Sequence, residues 1–299
     1  MSEAENNHAK GLLLTAIGGL ALTADIPLIR LASGDQWSIM MARSGLTLAA
    51  GLIIWIVWKL ASRKAPALVP GRPGLAVAAL YGLATICFIG AVYHTSTANL
   101  VFILALNSMF AALLSRIFLK EKLRPATFLA MLAMLAGVLI IVGDSIGTGN
   151  LFGDLLALAS AVLIAGAITI SRASGRDMGF AALLAVALPL VVAAAMTAKT
   201  GFRIDHPWWI VLNGALVMPL SFYCLATGPR YISGPEVAMF YLLETVLAPV
   251  WVWLLFAEAP TRQSLVGGAI LILALVAHSL WQLYSGRRRR AASVLRHPA

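Results

Sequence analysis

Along this chain, apolar stretches of about twenty residues alternate with short polar or basic joints. A helix needs about 20 mostly apolar residues to cross the hydrocarbon of a bilayer. Ten runs approach that length: Gly11–Leu31, Ser38–Trp58, Gly74–His94, Ala98–Phe118, Pro125–Gly143, Asp154–Ser171, Phe180–Ala198, Trp208–Thr227, Val237–Phe256 and Ser264–Tyr284. The joints are short, so neighbouring runs pair as antiparallel hairpins. The pattern predicts an all-α integral membrane protein of ten transmembrane helices. The first run is too long for a signal-peptide core, and it has a counterpart in mid-chain, so it is read as a retained helix.

Composition agrees with the pattern. Of the 299 residues, 61% are hydrophobic and 11% charged, against roughly a quarter charged in a soluble globule. There is too little polar surface to wet such a molecule, which excludes a small soluble enzyme. The net charge of +10 would raise nucleic acid as a partner in a soluble protein, but here the cations sit in joints between apolar runs. With the N-terminus inside, 17 of the Lys and Arg residues fall on cytoplasmic segments, among them Lys59, Arg116, Arg172 and the Arg287–Arg290 run, and 5 fall outside. That asymmetry is the positive-inside signature, and it puts both termini in the cytoplasm. The Arg287–Arg290 run then reads as a topology anchor. Cys87 and Cys224 each lie within an apolar run, without disulfide or zinc spacing.

The chain also resembles itself. Gly11 through Asp35 matches Gly153 through Asp177, with Arg30 falling on Arg172; at an offset of 137, Cys87, Asn107, Ala111 and Glu121 fall on Cys224, Glu244, Ala248 and Glu258. Two units follow, residues 1–150 and 151–285, with a basic cytoplasmic tail at 286–299. Five helices is an odd number, so the second unit enters the membrane from the opposite side. An inverted repeat of this kind puts a ligand site near the midplane, between the halves.

Few polar groups lie at membrane depth. Glu244 stands near the middle of the ninth run, with Tyr241 and Ala248 on the same helical face, and Asn107 takes the matching depth in the fourth. A buried carboxyl is costly and functional by default, so Glu244 is a candidate for substrate binding and for coupling to a proton. A structural hydrogen bond between packed helices is the alternative. Asp25 lies two residues before Pro27, whose ring interrupts the helix, and charges in membranes pair. Arg43 and Arg30 are its two candidate partners, either as a structural pair or as a gate. Tyr81, Thr85 and Phe88 share a face of the third run, and Tyr223 follows Pro219, a second expected helix discontinuity, in the eighth; these aromatics suit an amphipathic ligand or simple packing. Trp208 and Trp209 read as interface belt. Glu121 with Arg124, and Glu258 with Arg262, have the spacing of local helix-end pairs. Small residues at Gly18, Gly19, Ala111 and Ala248 allow close helix approach. No histidine has a metal-spaced partner, and no phosphate-binding Gly-rich loop with Lys-Ser/Thr is present. No cofactor is implied.

Ten helices in two halves, with Leu-Ser-Arg-Ile-Phe-Leu-Lys-Glu121 closing the fourth and Glu244 through Glu258 closing the ninth, resemble the drug/metabolite transporter superfamily. The chain is similar to its EamA-type members, and YddG-type amino acid exporters are the first comparison. Lys120 and Ala257 replace the glycine usual before the closing glutamate, and Asn107 stands where a proline-containing pair is common. The resemblance implies a carrier of the bacterial inner membrane, in contact with lipid, exporting or exchanging small metabolites by alternating access. An amino acid is the leading substrate and a drug or other metabolite the alternative. Two other classes stay open: an intramembrane enzyme, for which no nucleophile–base or paired-acid arrangement is evident, and a channel, for which no rings of pore-lining polar residues are evident.

Overall fold

The computed structural model describes residues 3–61, 68–69, 71–120, 125–175, 178–227, 231–232 and 234–296. Among them every regular element is helical: α1 (Glu3–Leu22), α2 (Asp25–Ala32), α3 (Gln36–Ala61), α4 (Gly71–His94), α5 (Thr97–Leu104), α6 (Asn107–Phe118), α7 (Pro125–Thr148), α8 (Leu151–Ser174), α9 (Gly179–Leu184), α10 (Ala187–Thr200), α11 (Pro207–Leu212), a π-helical turn (Asn213–Val217), α12 (Met218–Thr227), α13 (Gly234–Phe256) and α14 (Arg262–Arg296). Eight stretches are long and apolar enough to cross a membrane, and α10 and the Leu243–Phe256 part of α13 are apolar but shorter. The long side chains that face outward, such as Leu60, Phe118, Leu139 and Leu273, are apolar, as a lipid-facing surface requires.

Proline explains three of the four interruptions. Its nitrogen cannot donate to the carbonyl four residues earlier, and its ring crowds that oxygen. Four residues before Pro27 is Thr23, where α1 gives way to α2; four before Pro189 is Ala185, between α9 and α10; four before Pro219 is Ala215, inside the π-helical turn. The sequence reading expected breaks at Pro27 and Pro219 and ran the seventh helix unbroken through Pro189. The fourth interruption, at Ala105–Leu106 between α5 and α6, has no proline. The helix closing at Tyr284 in that reading in fact continues to Arg296, through the basic run.

The closest helix pairings are α4 with α8, α7 with α14, α3 with α10 and α1 with α12. Each joins a helix from before residue 150 to one after it, so the two parts of the chain interleave. Glycine permits two of these approaches: a Cβ on Gly137 would meet the carbonyl oxygen of Gly267 at 2.6 Å, and one on Gly18 would meet the Cys224 Cβ at 2.7 Å.

The main buried cluster draws on Ile26, Ile29, Ile39, Met40, Ile89, Leu100, Ile103 and Ile210, which gather toward one end of the bundle. That end is closed by polar contacts. Gly34 and Ile204 form an antiparallel bridge, flanked by Asp35 N–H to the Arg203 carbonyl at 3.1 Å and Asp205 N–H to the Ser33 carbonyl at 2.7 Å. Ser33 Oγ donates to Asp205 at 2.9 Å. Arg30 pairs with Glu258, whose other oxygen accepts from Thr97 N–H at 3.0 Å, and Thr95 Oγ1 donates to Asp154 at 2.5 Å.

Candidate functional site

The break after α1 places Asp25 in the first turn of α2, where exposed backbone N–H groups favour a carboxylate. Arg43 reaches it from α3, two turns beyond that helix's start. Arg43 Nε donates to Asp25 Oδ1 at 3.2 Å and Nη2 to Oδ2 at 2.8 Å, a forked pair. Both residues are nearly inaccessible, Asp25 at 3% and Arg43 at 4%. Opposite them the π-helical turn supplies Asn213, whose Nδ2 donates to Asp25 Oδ1 at 2.7 Å and to the Asp25 carbonyl at 3.2 Å. Met218 Sδ accepts from Arg43 Nη2 at 3.2 Å.

Two close contacts hold the turn against α3. Thr47 Oγ1 donates to the Gly214 carbonyl at 3.0 Å, and a Cβ at Gly214 would lie 2.9 Å from the Arg43 carbonyl oxygen. From the other side, Trp251 on α13 donates its indole N–H to Thr23 Oγ1 at the α1–α2 break, 3.2 Å away. Glu244 lies two turns earlier on α13. It is partly buried and accepts no hydrogen bond from the described residues. Two ionisable groups, Asp25 and Arg43, and a π-helical asparagine therefore meet where two transmembrane segments lose regular helix. Irregular backbone at membrane depth survives only inside protein or against a cavity, and π turns concentrate at functional positions.

Asp25 and Arg43, selected from the sequence, thus come together, with Pro27 as the cause of the break. Arg30, the alternative partner for Asp25, goes instead to Glu258. That pairing also corrects the expected local pair of Glu258 with Arg262: Glu258 reaches across to the end of α2 and to the N-terminus of α5. The Glu121–Arg124 pair lies outside the described residues, as does the Tyr241 side chain. Asn107 opens α6, partly buried. Tyr81 packs with Val77, Ala167, Met178 and Ala181 between α4, α8 and α9, and Thr85 Oγ1 donates back to the Tyr81 carbonyl at 2.9 Å. Tyr223 is exposed and lines a cavity of about 410 Å³ with Ile53, Ile54, Val57 and Trp58. Asn213 and Met218 were missed; a lone amide six residues before Pro219 in an apolar run was the available signal. Among the described residues no three His, Cys, Asp or Glu side chains are grouped to hold a metal.

A multi-pass helical membrane protein with a charged cluster at paired helix interruptions is the architecture of a transporter. The chain belongs to the EamA-like transporter family, which it matches over residues 9–143 and again over 151–280. It is 26% identical over 218 residues to the Pseudopaline exporter CntI of Pseudomonas aeruginosa, in strain UCBPP-PA14 and equally in strain PAO1, covering 70% of this chain and 75% of the relative. Among solved structures, one carrying the words "Crystal structure of protein" superposes with a TM-score of 0.63 at 18% identity, over 92% of this chain and 98% of the other. The fold is thus one already seen in a solved structure, and the family makes this chain a transporter of the drug/metabolite type, acting on a small molecule.

Proposed function

We propose that the chain is a secondary carrier that exports or exchanges a small amphipathic metabolite, foremost a neutral or aromatic amino acid, by alternating access. It crosses the bacterial inner membrane ten times as two inverted five-helix halves, residues 1–150 and 151–285, with both termini and the basic tail cytoplasmic. The observation that carries the reading is the buried Asp25–Arg43–Asn213 cluster. Buried charge at two helix interruptions is what a midplane binding site requires.

Three observations support the repeat. Let α1–α2, α3, α4, α5–α6 and α7 be crossings one to five, and α8, α9–α10, α11–α12, α13 and α14 crossings six to ten. Exchanging the halves swaps the packed pairs one–eight and three–six, and maps two–seven, four–nine and five–ten onto themselves. The family matches the two parts separately. Lys120 and Ala257, 137 residues apart, both hold positive φ, 55° and 54°. The CntI relatives, named as exporters, support the direction. Asn107, Tyr81, Thr85, Tyr223 and Tyr241 line the route in this reading, and Glu244 exchanges a proton with it.

The test is uptake of radiolabelled amino acids and of a cationic dye by protein in liposomes, with and without a pH gradient. Saturable amino acid flux that the gradient accelerates, and that Glu244→Gln uncouples from it, supports the reading. Linear flux without saturation makes the protein a channel, and peptide or lipid turnover makes it an enzyme. Saturable dye flux alone transfers the carrier to drugs.

A further inference from the structure

We propose that the cavity between α3 and α12 is a phospholipid site, holding one acyl chain of an anionic lipid from the leaflet at the Lys59 end of α3. The orientation proposed above makes that leaflet cytoplasmic, but the site rests on the cavity and its rim and requires no transport step.

The two segments part toward that end. At Thr47 of α3 and Gly214 of the π-helical turn they touch, hydroxyl to carbonyl, at 3.0 Å. About 14 Å further along each, at 1.5 Å per residue, Val57 and Tyr223 instead border a cavity of about 410 Å³ that Ile53, Ile54 and Trp58 also line. Thr47, Ile54 and Trp58 recur at helical spacing, so the face of α3 that meets the π turn continues into the cavity wall. Phe180 on α9 packs edge-on against Trp58, ring centroids 6.2 Å apart, and backs that wall. Ile53, Ile54, Val57 and Tyr223 are exposed, so the cavity opens sideways, onto the surface that faces lipid.

Hydrocarbon is what these walls fit. Their side chains are aliphatic or aromatic, which leaves a small polar solute little to orient it, where ordinary ligand sites converge several polar groups. An apolar hollow holds no ordered water either. A methylene fills about as much space as a water, about 30 Å³ in the liquid, so about 410 Å³ takes roughly fourteen of them, most of one acyl chain. Charge picks the lipid. Trp58 has Trp55 three residues before it, on an adjoining face, and the Lys59 ammonium lies over the Trp55 ring at 4.8 Å. The lysine is thus folded back against the helix at the rim of the cavity. A cation held there suits a lipid phosphate that carries no compensating amine, phosphatidylglycerol over phosphatidylcholine. A chain lodged in the cavity holds α3 and α12 apart at this end.

The experiment measures quenching of tryptophan fluorescence by lipids brominated in the acyl chain, with the full chain reconstituted in phosphatidylcholine liposomes. The Trp58 signal is read, in every background, as the difference that Trp58→Phe makes. The account expects brominated phosphatidylglycerol to bind at Trp58 about 5-fold tighter than brominated phosphatidylcholine, the effect of one interfacial lysine. Lys59→Gln removes that preference. Ile54→Phe with Val57→Phe fills the cavity and lowers quenching of the Trp58 signal by both lipids. Should the filled variant fail to fold, Lys59→Gln, at an exposed position, still decides. Equal affinity of the two lipids for the wild type overturns the proposal. So does a preference that survives Lys59→Gln, or Trp58 quenching that filling leaves unchanged. Counterflow in the same liposomes reads the carrier proposal separately, since lipid binding at Trp58 does not depend on it.

Discussion

Removing one member of the Asp25–Arg43 pair should be far worse than removing both. The side chains are 4% and 5% exposed and joined by two N–H···O bonds at 2.8 and 3.2 Å, so neither can recruit water when its partner is lost. Asp25→Asn strands a guanidinium, and Arg43→Gln strands a carboxylate held, among the described residues, only by Asn213. Breaking a buried pair from one side costs about 3–5 kcal/mol. The double variant leaves two amides in hydrogen-bonding range and no buried charge, so its loss should be about 1–2 kcal/mol, a residue of lost charged hydrogen bonds. Two singles near ~4 kcal/mol that sum far above the double give a coupling of at least about 4 kcal/mol, well above the ~0.5 kcal/mol scatter of independent sites. The assay is reversible SDS unfolding in mixed micelles, followed by tryptophan fluorescence. A cycle additive within about 0.5 kcal/mol would refute the reasoning, because it would mean that water already screens the pair.

Three further outcomes follow from the geometry. Ala257 holds φ 54° at the end of α13, a left-handed conformation that costs a residue with a Cβ about 1 kcal/mol, so Ala257→Gly should stabilise the protein by up to that amount in the same titration. Gly214→Val should lose about 1–3 kcal/mol, because its Cβ, at 2.9 Å from the Arg43 carbonyl, pushes the π turn off α3; unchanged unfolding would contradict that packing. At the closed end, the Ser33 hydroxyl and then Arg203 hold the Asp205 carboxyl below its ordinary value. A depressed carboxyl contributes stability above its ordinary pKa and loses it as pH falls through the folded value. Hydrogen exchange at the Asp205 and His206 amides, corrected for intrinsic rate, should therefore stay slow from neutral pH down to the carboxylate range and quicken only below it, and Asp205→Asn should remove that acid step.

Most of the helices were legible because apolar length and basic joints are strong signals, and Asp25 and Glu244 stood out because a carboxyl inside an apolar run has few reasons to be there. What escaped the sequence has physical causes. The α9–α10 break at Pro189 was passed over because the residues around it are apolar on every side. The α5–α6 break has no proline to announce it. Glu258 was assigned to Arg262 because local spacing is visible and tertiary reach is not; its partners, Arg30 and the Thr97 amide, lie 228 and 161 residues away. Asn213 gained meaning only through the π turn that carries it toward Asp25. The glycine missing at positions 120 and 257 was legible as a departure from the family pattern, and the positive φ at both explains why glycine is the usual residue.

The central claim is that transport requires the closed end to open. Ser33 and Asp205 face each other there, Oγ to Oδ2 at 2.9 Å across the Gly34–Ile204 bridge. The direct measurement replaces both with cysteine, in a background with Cys87→Ala and Cys224→Ala, and follows substrate counterflow in liposomes before and after oxidation. The account predicts that the disulfide stops exchange and that reductant restores it. Exchange that continues at the full rate through the locked protein would contradict alternating access.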